Sequence, residues 1–259
     1  MTTMAPTTMA PTTMAPTTTA PTNVRWKILV LVTFASFVGY FLRSNVSIVG
    51  ESMIDDLGLT EVHLGYMFSA FAAGYAMFQL PGGVMGNRFG ARFLLTAMLL
   101  SWAILTALTG LIPGSSVLGV GSIVVSLVVL RFLVGATQAP LFPVSAGGTI
   151  SNWFPVEGWG LPFGLQIAGY TLGAAAAAPV LVWLMESVGW RDALLISAPL
   201  GLISAGLWWW YARDLPIQHR SVNAAEVQLI DHNRPPLVEQ STPGAWKRAL
   251  ANRDILLLT

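Results

Sequence analysis

The sequence predicts an all-α membrane protein with six transmembrane helices. Of the 259 residues, 54% are hydrophobic and only 10% are charged, whereas about a quarter of the residues in an average soluble domain are charged. Charged residues are nearly absent from runs of about 20 residues, the length that an α-helix needs to cross a bilayer core. Six such runs follow one another, over residues 26–49, 63–82, 93–112, 118–149, 159–184 and 192–212.

Residues 1–24 are predicted to form a disordered tail before the first span. The unit Met-Ala-Pro-Thr-Thr recurs from Met4 to Thr18, and a proline at every fifth position prevents a stable helix. We do not interpret this segment as a signal peptide, because it lacks a basic start and the apolar run after Lys27 is long enough to span. A mucin-like stalk is the alternative interpretation.

The distribution of basic residues predicts a multi-pass protein of the cell membrane with a cytosolic amino terminus. In that orientation only Arg191 of the 13 Lys and Arg residues lies in an outer segment, and Arg43 and Arg131 lie within spans. The others lie on the cytosolic side, where basic residues of membrane proteins concentrate. The first outer segment instead carries the acids Glu51, Asp55, Asp56 and Glu61.

The remaining segments complete the predicted organisation. Residues 25–212 would form the six-helix bundle, and the fourth run is long enough that Pro140 and Pro143 are expected to bend it. Residues 213–250 are polar and contain prolines, which predicts a cytosolic linker. Residues 251–259 begin a further apolar run, which we interpret as the truncated start of a seventh helix.

One segment between the second and third runs resembles a family signature. Gly83-Val-Met-Gly-Asn-Arg-Phe-Gly-Ala-Arg92 resembles the signature loop of the major facilitator superfamily, G-x-x-x-D-R-x-G-x-R, so the sequence resembles the amino-terminal half of such a carrier. The pattern positions are Gly83, Asn87, Arg88, Gly90 and Arg92. Asn87 replaces the aspartate of the family. An asparagine can still cap a helix, but it cannot make the charged contact expected of the aspartate.

Four further segments resemble the anion:cation symporter family within that superfamily. The family handles sugar acids, phthalate and related anions, and the resemblance covers about residues 25–259. It implies that Arg43 and Tyr75 contact the substrate carboxylate. It also implies two proton-accepting acids, at positions where this sequence has Leu42 and Gln138. The resembling segments are Phe71–Gly83, Arg131–Pro143, Asn152–Pro155 and Gly189–Arg191.

The residues themselves indicate an anion site. Arg43 and Arg131 are charges within spans, yet every Asp and Glu lies in a predicted loop or at a span end. A charge near the bilayer centre usually faces a cavity or a partner, and guanidinium binds carboxylate or phosphate bidentately. An anionic substrate would supply the missing negative charge. The alternatives are that Arg43 reaches the outer headgroups and that Arg131 serves helix packing.

Helical spacing predicts a shared polar cavity. Thr33, Ser36, Tyr40, Arg43 and Ser47 form one stripe of the first span at steps of three and four residues. Polar pairs on the second, fourth and fifth spans would face the same cavity. Glycines 160, 164, 169 and 173 are instead expected to pack the fifth span against a neighbour. The predicted substrate-binding residues are Arg43, Tyr75, Gln79, Arg131, Gln138 and Tyr170.

These observations predict a transporter of a small organic anion that works by alternating access. Because Leu42 and Gln138 cannot titrate, we expect anion exchange, uniport or coupling through the other six helices. An anion sensor without transport and an inactive fragment of a split carrier are the alternatives. The expected partners are the anion, the lipid bilayer and a carboxyl-terminal six-helix half. The sequence indicates no enzyme, metal, cofactor or nucleic acid.

Overall fold

The computed structural model describes residues 20–232, and this part of the chain consists of helices and turns without strands. Most of the predicted tail, the linker beyond residue 232 and the predicted start of a seventh helix lie outside the described residues. The α-helices are α1 Val24–Leu57, α2 Glu61–Phe89, α3 Ala91–Gly110, α4 Val120–Gln138, α5 Ser151–Trp153, α6 Gly160–Ser197, α7 Pro199–Tyr211 and α8 Ala224–Asp231. A π-helix Pro143–Ile150 and the 3-10 turns Val156–Gly158 and Pro216–Gln218 connect them.

The predicted all-α membrane class is confirmed, but the count of six spans is not established. Within the described part of the chain, four segments are long and apolar enough to cross a membrane. The helix α2 has 29 residues and is less apolar. The fifth and sixth predicted runs form one segment, in which only Gly189, with φ 84°, breaks the helix of α6. The four segments are Val24–Leu57, Ala91–Gly110, Val120–Trp153 and Gly160–Tyr211.

The predicted signature loop is helical almost throughout, which corrects the sequence interpretation. The helix α2 continues through Gly83, Asn87 and Arg88, and α3 begins before Arg92, so only Gly90 leaves the helical conformation, at φ 81°. Asn87 is exposed inside a helix and caps nothing. One glycine at positive φ is enough to reverse the chain, and the other glycines leave the helix intact.

The helix α3 is capped by a residue that is distant along the chain and follows α7. The Asp214 carboxylate accepts a hydrogen bond of 2.8 Å from the backbone N–H of Arg92. The same carboxylate closes over Gly90, where an added Cβ would lie 2.7 Å from an Asp214 oxygen. A carboxylate at a helix amino terminus accepts hydrogen bonds from the free N–H groups and interacts favourably with the positive end of the helix dipole. Asp214 therefore holds the α2–α3 connection against the segment that follows α7.

Close glycine contacts join the long helices in pairs. A Cβ on Gly169 would lie 2.7 Å from the Thr33 carbonyl oxygen, and one on Gly173 would lie 2.2 Å from that of Phe37. These contacts confirm the predicted packing role of the second glycine pair, here against α1. A Cβ on Gly160 or Gly164 would meet no other part of the described chain within 4 Å, so the predicted packing is not found for them.

The fourth predicted run changes its helical type at its prolines. Regular α-helix ends at Gln138, and a π-helix begins at Pro143. Pro140 lies against Gly82 of α2, where an added Cβ would come within 2.4 Å of its ring. The interruption therefore lies where the two prolines predicted a bend, because proline cannot donate the α-helical hydrogen bond.

Arg191, the predicted exception on the outer side, has a carboxylate partner. Its guanidinium forms an ion pair with Asp56 at the end of α1 and lies over the Trp190 ring at 4.4 Å. The Trp190 indole N–H donates to the same carboxylate at 3.2 Å. Two guanidinium nitrogens also donate to the Ile112 carbonyl at 3.4 Å. One basic residue therefore joins the ends of three segments.

A buried glutamate of α8 caps α1 at the opposite end of the bundle. Asn23, the residue before α1, has φ 58° and provides no side-chain cap. Instead the Glu226 carboxylate, which is fully buried, accepts hydrogen bonds of 3.1 Å from the backbone N–H groups of Val24 and Arg25. It also accepts from the Thr22 hydroxyl. The start of the predicted linker is thus fixed to the start of the first long helix.

Candidate functional site

Two arginines from different helices line one cavity. Arg43 of α1 and Arg131 of α4 meet at a cavity of about 200 Å³. Arg131 is 6% exposed, so its charge faces the interior of the bundle rather than lipid or solvent. The structure therefore brings together the two charges that the sequence singled out. The other lining residues are Ser44, Ser47, Phe68 and Phe71.

Three aromatic rings surround the guanidinium of Arg43. Its central carbon lies 4.7 Å from the Phe71 ring centre, 5.2 Å from that of Tyr40 and 5.6 Å from that of Tyr75. These distances fall within the range of cation–π interactions. Because the rings come from both α1 and α2, they fix the position of the Arg43 guanidinium beside the cavity.

Neither cavity arginine is paired with a carboxylate of the described chain. Between residues 20 and 232 the ion pairs join Arg25 to Glu226 and Arg191 to Asp56. Arg43 and Arg131 have no acidic oxygen within 4.0 Å in that part of the chain. Two positive charges that line one cavity in a low-dielectric interior repel each other.

A neutral hydrogen-bond cluster adjoins the arginine cavity. The Tyr170 hydroxyl accepts from the Gln166 amide at 2.7 Å and lies 3.2 Å from the Ser145 hydroxyl. Gln166 also donates to Ser145 and is fully buried. The Tyr170 ring packs on Tyr40 with centres 4.6 Å apart. Tyr170 is thereby connected to Arg43 through one intervening ring.

The two predicted glutamines lie outside the direct lining of the arginine cavity. The amide of Gln138 donates to the Gly39 carbonyl of α1 at 3.1 Å, and its side chain is buried. The side-chain oxygens of Gln138 and Gln79 have no hydrogen-bond partner in the described part of the chain. Leu42, at the other position of a family acid, packs in the apolar core. Gln138 thus connects α4 to α1, and Leu42 faces away from the polar cavity.

Sequence reasoning missed the contribution of phenylalanine to the site. Phe68 and Phe71 lie in the second predicted apolar run and were not among the predicted binding residues, yet both line the cavity. Phe71 lies four residues before Tyr75, which places the two side chains on one face of α2, and their rings are 6.1 Å apart. That four-residue spacing was the feature of the sequence that could have placed Phe71 beside Tyr75 in the site. Ser44 could not have been found by spacing, because it follows Arg43 directly.

The cavity combines fixed positive charge, aromatic surface and hydroxyl groups, and its lining between residues 20 and 232 includes no acid–base pair. Among the described residues, no group of three His, Asp or Glu side chains could hold a metal ion.

Comparison of sequences identifies related transporters. The family model described as "Major Facilitator Superfamily" matches residues 31–259. The probable galactarate/D-glucarate transporter GudP of Bacillus subtilis is 31% identical over 243 residues, which cover 90% of this chain and 52% of the relative. The probable sulfoacetate transporter SauU of Cupriavidus necator is 34% identical over 232 residues, 87% of this chain and 50% of the relative. The chain spans about half the length of these relatives.

Comparison of structures gives the same fold at lower sequence identity. A bacterial homologue of the human lysosomal transporter Spinster, in an inward-facing and unoccupied conformation, matches with a TM-score of 0.64 and 19% identity. The match covers 75% of this chain and 44% of that structure. It establishes the arrangement of the helices.

Proposed function

The chain belongs to the Major Facilitator Superfamily, and from this we propose that it forms the amino-terminal half of a membrane carrier for a small organic anion. The observation that carries the proposal is the cavity shared by Arg43 and Arg131, neither of which has a carboxylate partner in the described chain. Two guanidinium groups can bind a carboxylate or a sulfonate through paired N–H donors. The bound anion would neutralise charge that the protein leaves unpaired.

The names of the related transporters agree with this substrate class. Galactarate, D-glucarate and sulfoacetate are small anions, and each carries at least one carboxylate together with a further polar or anionic group. In this chain Arg43 and Arg131 would bind the anionic group. The Tyr170 cluster and the buried, unpaired side-chain oxygens of Gln79 and Gln138 would serve hydroxyl groups of the substrate, because each offers an unused hydrogen-bonding atom or a hydroxyl.

The proposed architecture is six spans with both ends in the cytosol. Such a bundle would pair with a second six-helix half, and the substrate would bind between the halves, as in carriers built from structural repeats. The exposed glycines 160 and 164 on α6 support this arrangement, because they leave a smooth face open for another helix. Transport would then proceed by rocking of the halves around the site.

We further propose that the two acids of the anion:cation symporters are not used here. Their positions hold Leu42, buried in the apolar core, and Gln138, which hydrogen-bonds to Gly39. Neither side chain can carry a proton. A permanently cationic cavity is costly to reorient while empty, so exchange of one anion for another is the favoured mode.

The test is uptake of labelled organic anions by the complete carrier in liposomes. D-Glucarate, galactarate and sulfoacetate would be assayed with and without a pH gradient and with or without internal unlabelled anion. Saturable uptake that requires internal anion and ignores the gradient supports an exchanger. Uptake driven by the gradient would overturn the uncoupled mechanism. Specific binding without any uptake would identify an anion sensor instead of a carrier.

A further inference from the structure

An apolar groove runs along the outside of the bundle between α1 and α7. Its volume is about 300 Å³. The groove opens on the end of the bundle where α1 begins and α7 ends. Among its lining residues in the described chain, the one charged side chain is that of Lys27, which lies at this end. The lining residues are Lys27, Val30, Leu31, Leu207, Trp210 and Tyr211.

The charged end of the groove is cationic and unpaired. Lys27 is exposed and makes no hydrogen bond or ion pair with residues 20–232. Arg213 is close by, where its guanidinium donates to the Trp210 and Ala212 carbonyls at the end of α7. Both positive charges act on His219, whose pKa is lowered mainly by burial and next by Arg213, with a smaller contribution from Lys27. The three side chains therefore share one small region.

The acidic groups near this region are already engaged. Asp214 caps α3 through the Arg92 N–H, and Glu226 caps α1 in a fully buried position. Neither carboxylate is directed at Lys27. The positive charge at the end of the groove is therefore available to an external anion.

The aromatic residues mark the depth of this end in the membrane. Trp210 is 74% exposed, and Tyr211 follows it in the groove wall. Tryptophan and tyrosine concentrate at the headgroup level of the bilayer. Lys27 would then stand at the phosphate level of the cytosolic leaflet, in the orientation proposed above, while Val30, Leu31 and Leu207 lie beside the acyl chains.

From the charge and shape of this groove we propose that it binds an anionic phospholipid, with an acyl chain between α1 and α7 and the phosphate at Lys27. The cytosolic leaflet is the source of anionic lipids that juxtamembrane cations attract. A zwitterionic lipid fits the apolar part equally well but gains less from an unpaired lysine. The site lies on the outside of the bundle, apart from the arginine cavity, and its occupancy does not depend on transport.

The experiment measures lipids retained by the complete carrier in nanodiscs that contain phosphatidylglycerol and phosphatidylcholine with identical acyl chains. Native mass spectrometry after mild release counts each lipid. We expect the wild type to retain phosphatidylglycerol preferentially, and Lys27→Gln to weaken that retention about fivefold, the factor for one cation at a membrane surface. Lys27→Arg should restore it. Val30→Trp should fill the groove and release both lipids.

Arg220→Gln is the matched control, since Arg220 is an exposed cation of the same end that does not line the groove. It should leave the retained lipid unchanged. Equal losses in Lys27→Gln and Arg220→Gln would show a diffuse electrostatic effect and overturn the proposal. Equal retention of the two lipids by the wild type would also overturn it. An unfolded Lys27→Gln protein would be recognised by the loss of its monodisperse peak. In that case Val30→Trp tests the groove, and a Val30→Trp protein that still retains phosphatidylglycerol would overturn the proposal.

Discussion

Gly74 of α2 and Gly135 of α4 lie at the same helix crossing, each against the backbone of the other helix. A Cβ on Gly74 would lie 2.2 Å from the Phe132 carbonyl oxygen, and one on Gly135 would lie 2.1 Å from the Phe71 carbonyl oxygen. The crossing brings Phe71, a wall of the arginine cavity, against the helix that carries Arg131. Because Gly74 and Gly135 have no side chains, α2 and α4 approach each other closely beside the arginine cavity.

Gly135→Ala is expected to destabilise the bundle and to distort the cavity. The added methyl meets backbone atoms that cannot move independently, so the helices must separate, at a cost of about 1–3 kcal/mol. The measurement is the free energy of unfolding in detergent, together with anion affinity. Gly121→Ala is the control on the same helix, because a Cβ on Gly121 would meet no other part of the described chain within 4 Å. Equal stability of the two variants would contradict the crossing contact.

Glu226→Ala should release α8 from the start of α1. The substitution leaves the buried N–H of Val24 and the partly buried N–H of Arg25 without an acceptor, which costs about 1–3 kcal/mol. Hydrogen exchange should accelerate at residues 22–27 and 224–231 while the rest of the bundle stays protected. Glu51→Gln, an exposed acid near the other end of α1, should not change the exchange. Unchanged protection at residues 224–231 in Glu226→Ala would rule out the cap.

Protonation of His219 at acid pH should weaken the packing of residues 213–232 against the helix bundle. This imidazole packs between Trp153 and Tyr211, and its pKa is lowered, chiefly by burial and then by the charge of Arg213. When a folded-state pKa is depressed, the stabilisation is complete above the unfolded value, about 6.5 for histidine. It is lost as the pH falls through the folded pKa.

Hydrogen exchange of residues 213–232, corrected for intrinsic rates, should therefore rise between about pH 7.5 and about pH 5.5, on either side of the ordinary histidine pKa. His219→Gln removes the titrating group and should abolish that dependence. A pH response that persists in His219→Gln would assign it to another group.

Gln138→Glu is expected to make transport sensitive to protons. The amide of Gln138 donates to the Gly39 carbonyl. A protonated glutamate can make the same bond, but a carboxylate repels the carbonyl oxygen, so protonation would become coupled to the α1–α4 contact. Uptake by this variant should respond to an imposed pH gradient. Gln138→Met, which is neutral and cannot donate, should remain insensitive, and a gradient response in that variant would refute this explanation.

Much of the fold was readable from the sequence, because long apolar runs and basic flanks determine which segments are helical membrane elements. The polar stripe of α1 was readable as well, since spacing alone places Tyr40 and Arg43 on one side. In the structure, the residues of that stripe have different neighbours. Thr33 packs against Gly169 of α6, while Arg43 and Ser47 line the cavity. Spacing identifies a face, but the neighbour of each residue depends on how the helices cross.

Contacts between distant segments could not be predicted for the same reason. Glu226 and Val24 are separated by most of the chain, and no periodicity connects them. Gly135 lies four residues after Arg131 on the same side of α4, yet its lack of a side chain permits a backbone contact with α2. The signature segment was interpreted as a loop because it resembles the signature loop of the superfamily, yet within it only Gly90 has a positive φ. The sequence shows where the glycines are, but it does not show which of them adopt a positive φ.

The most direct test of the account is the affinity of the complete carrier for a carboxylate substrate such as D-glucarate, measured by calorimetry. Arg43→Gln and Arg131→Gln should each weaken binding about 10- to 100-fold, because each removes a charge-assisted hydrogen bond of about 1.5–3 kcal/mol. Arg220→Gln, an exposed cation outside the cavity, should bind like the wild type. Unchanged affinity in both Arg43→Gln and Arg131→Gln would contradict the assignment of this cavity as the anion site.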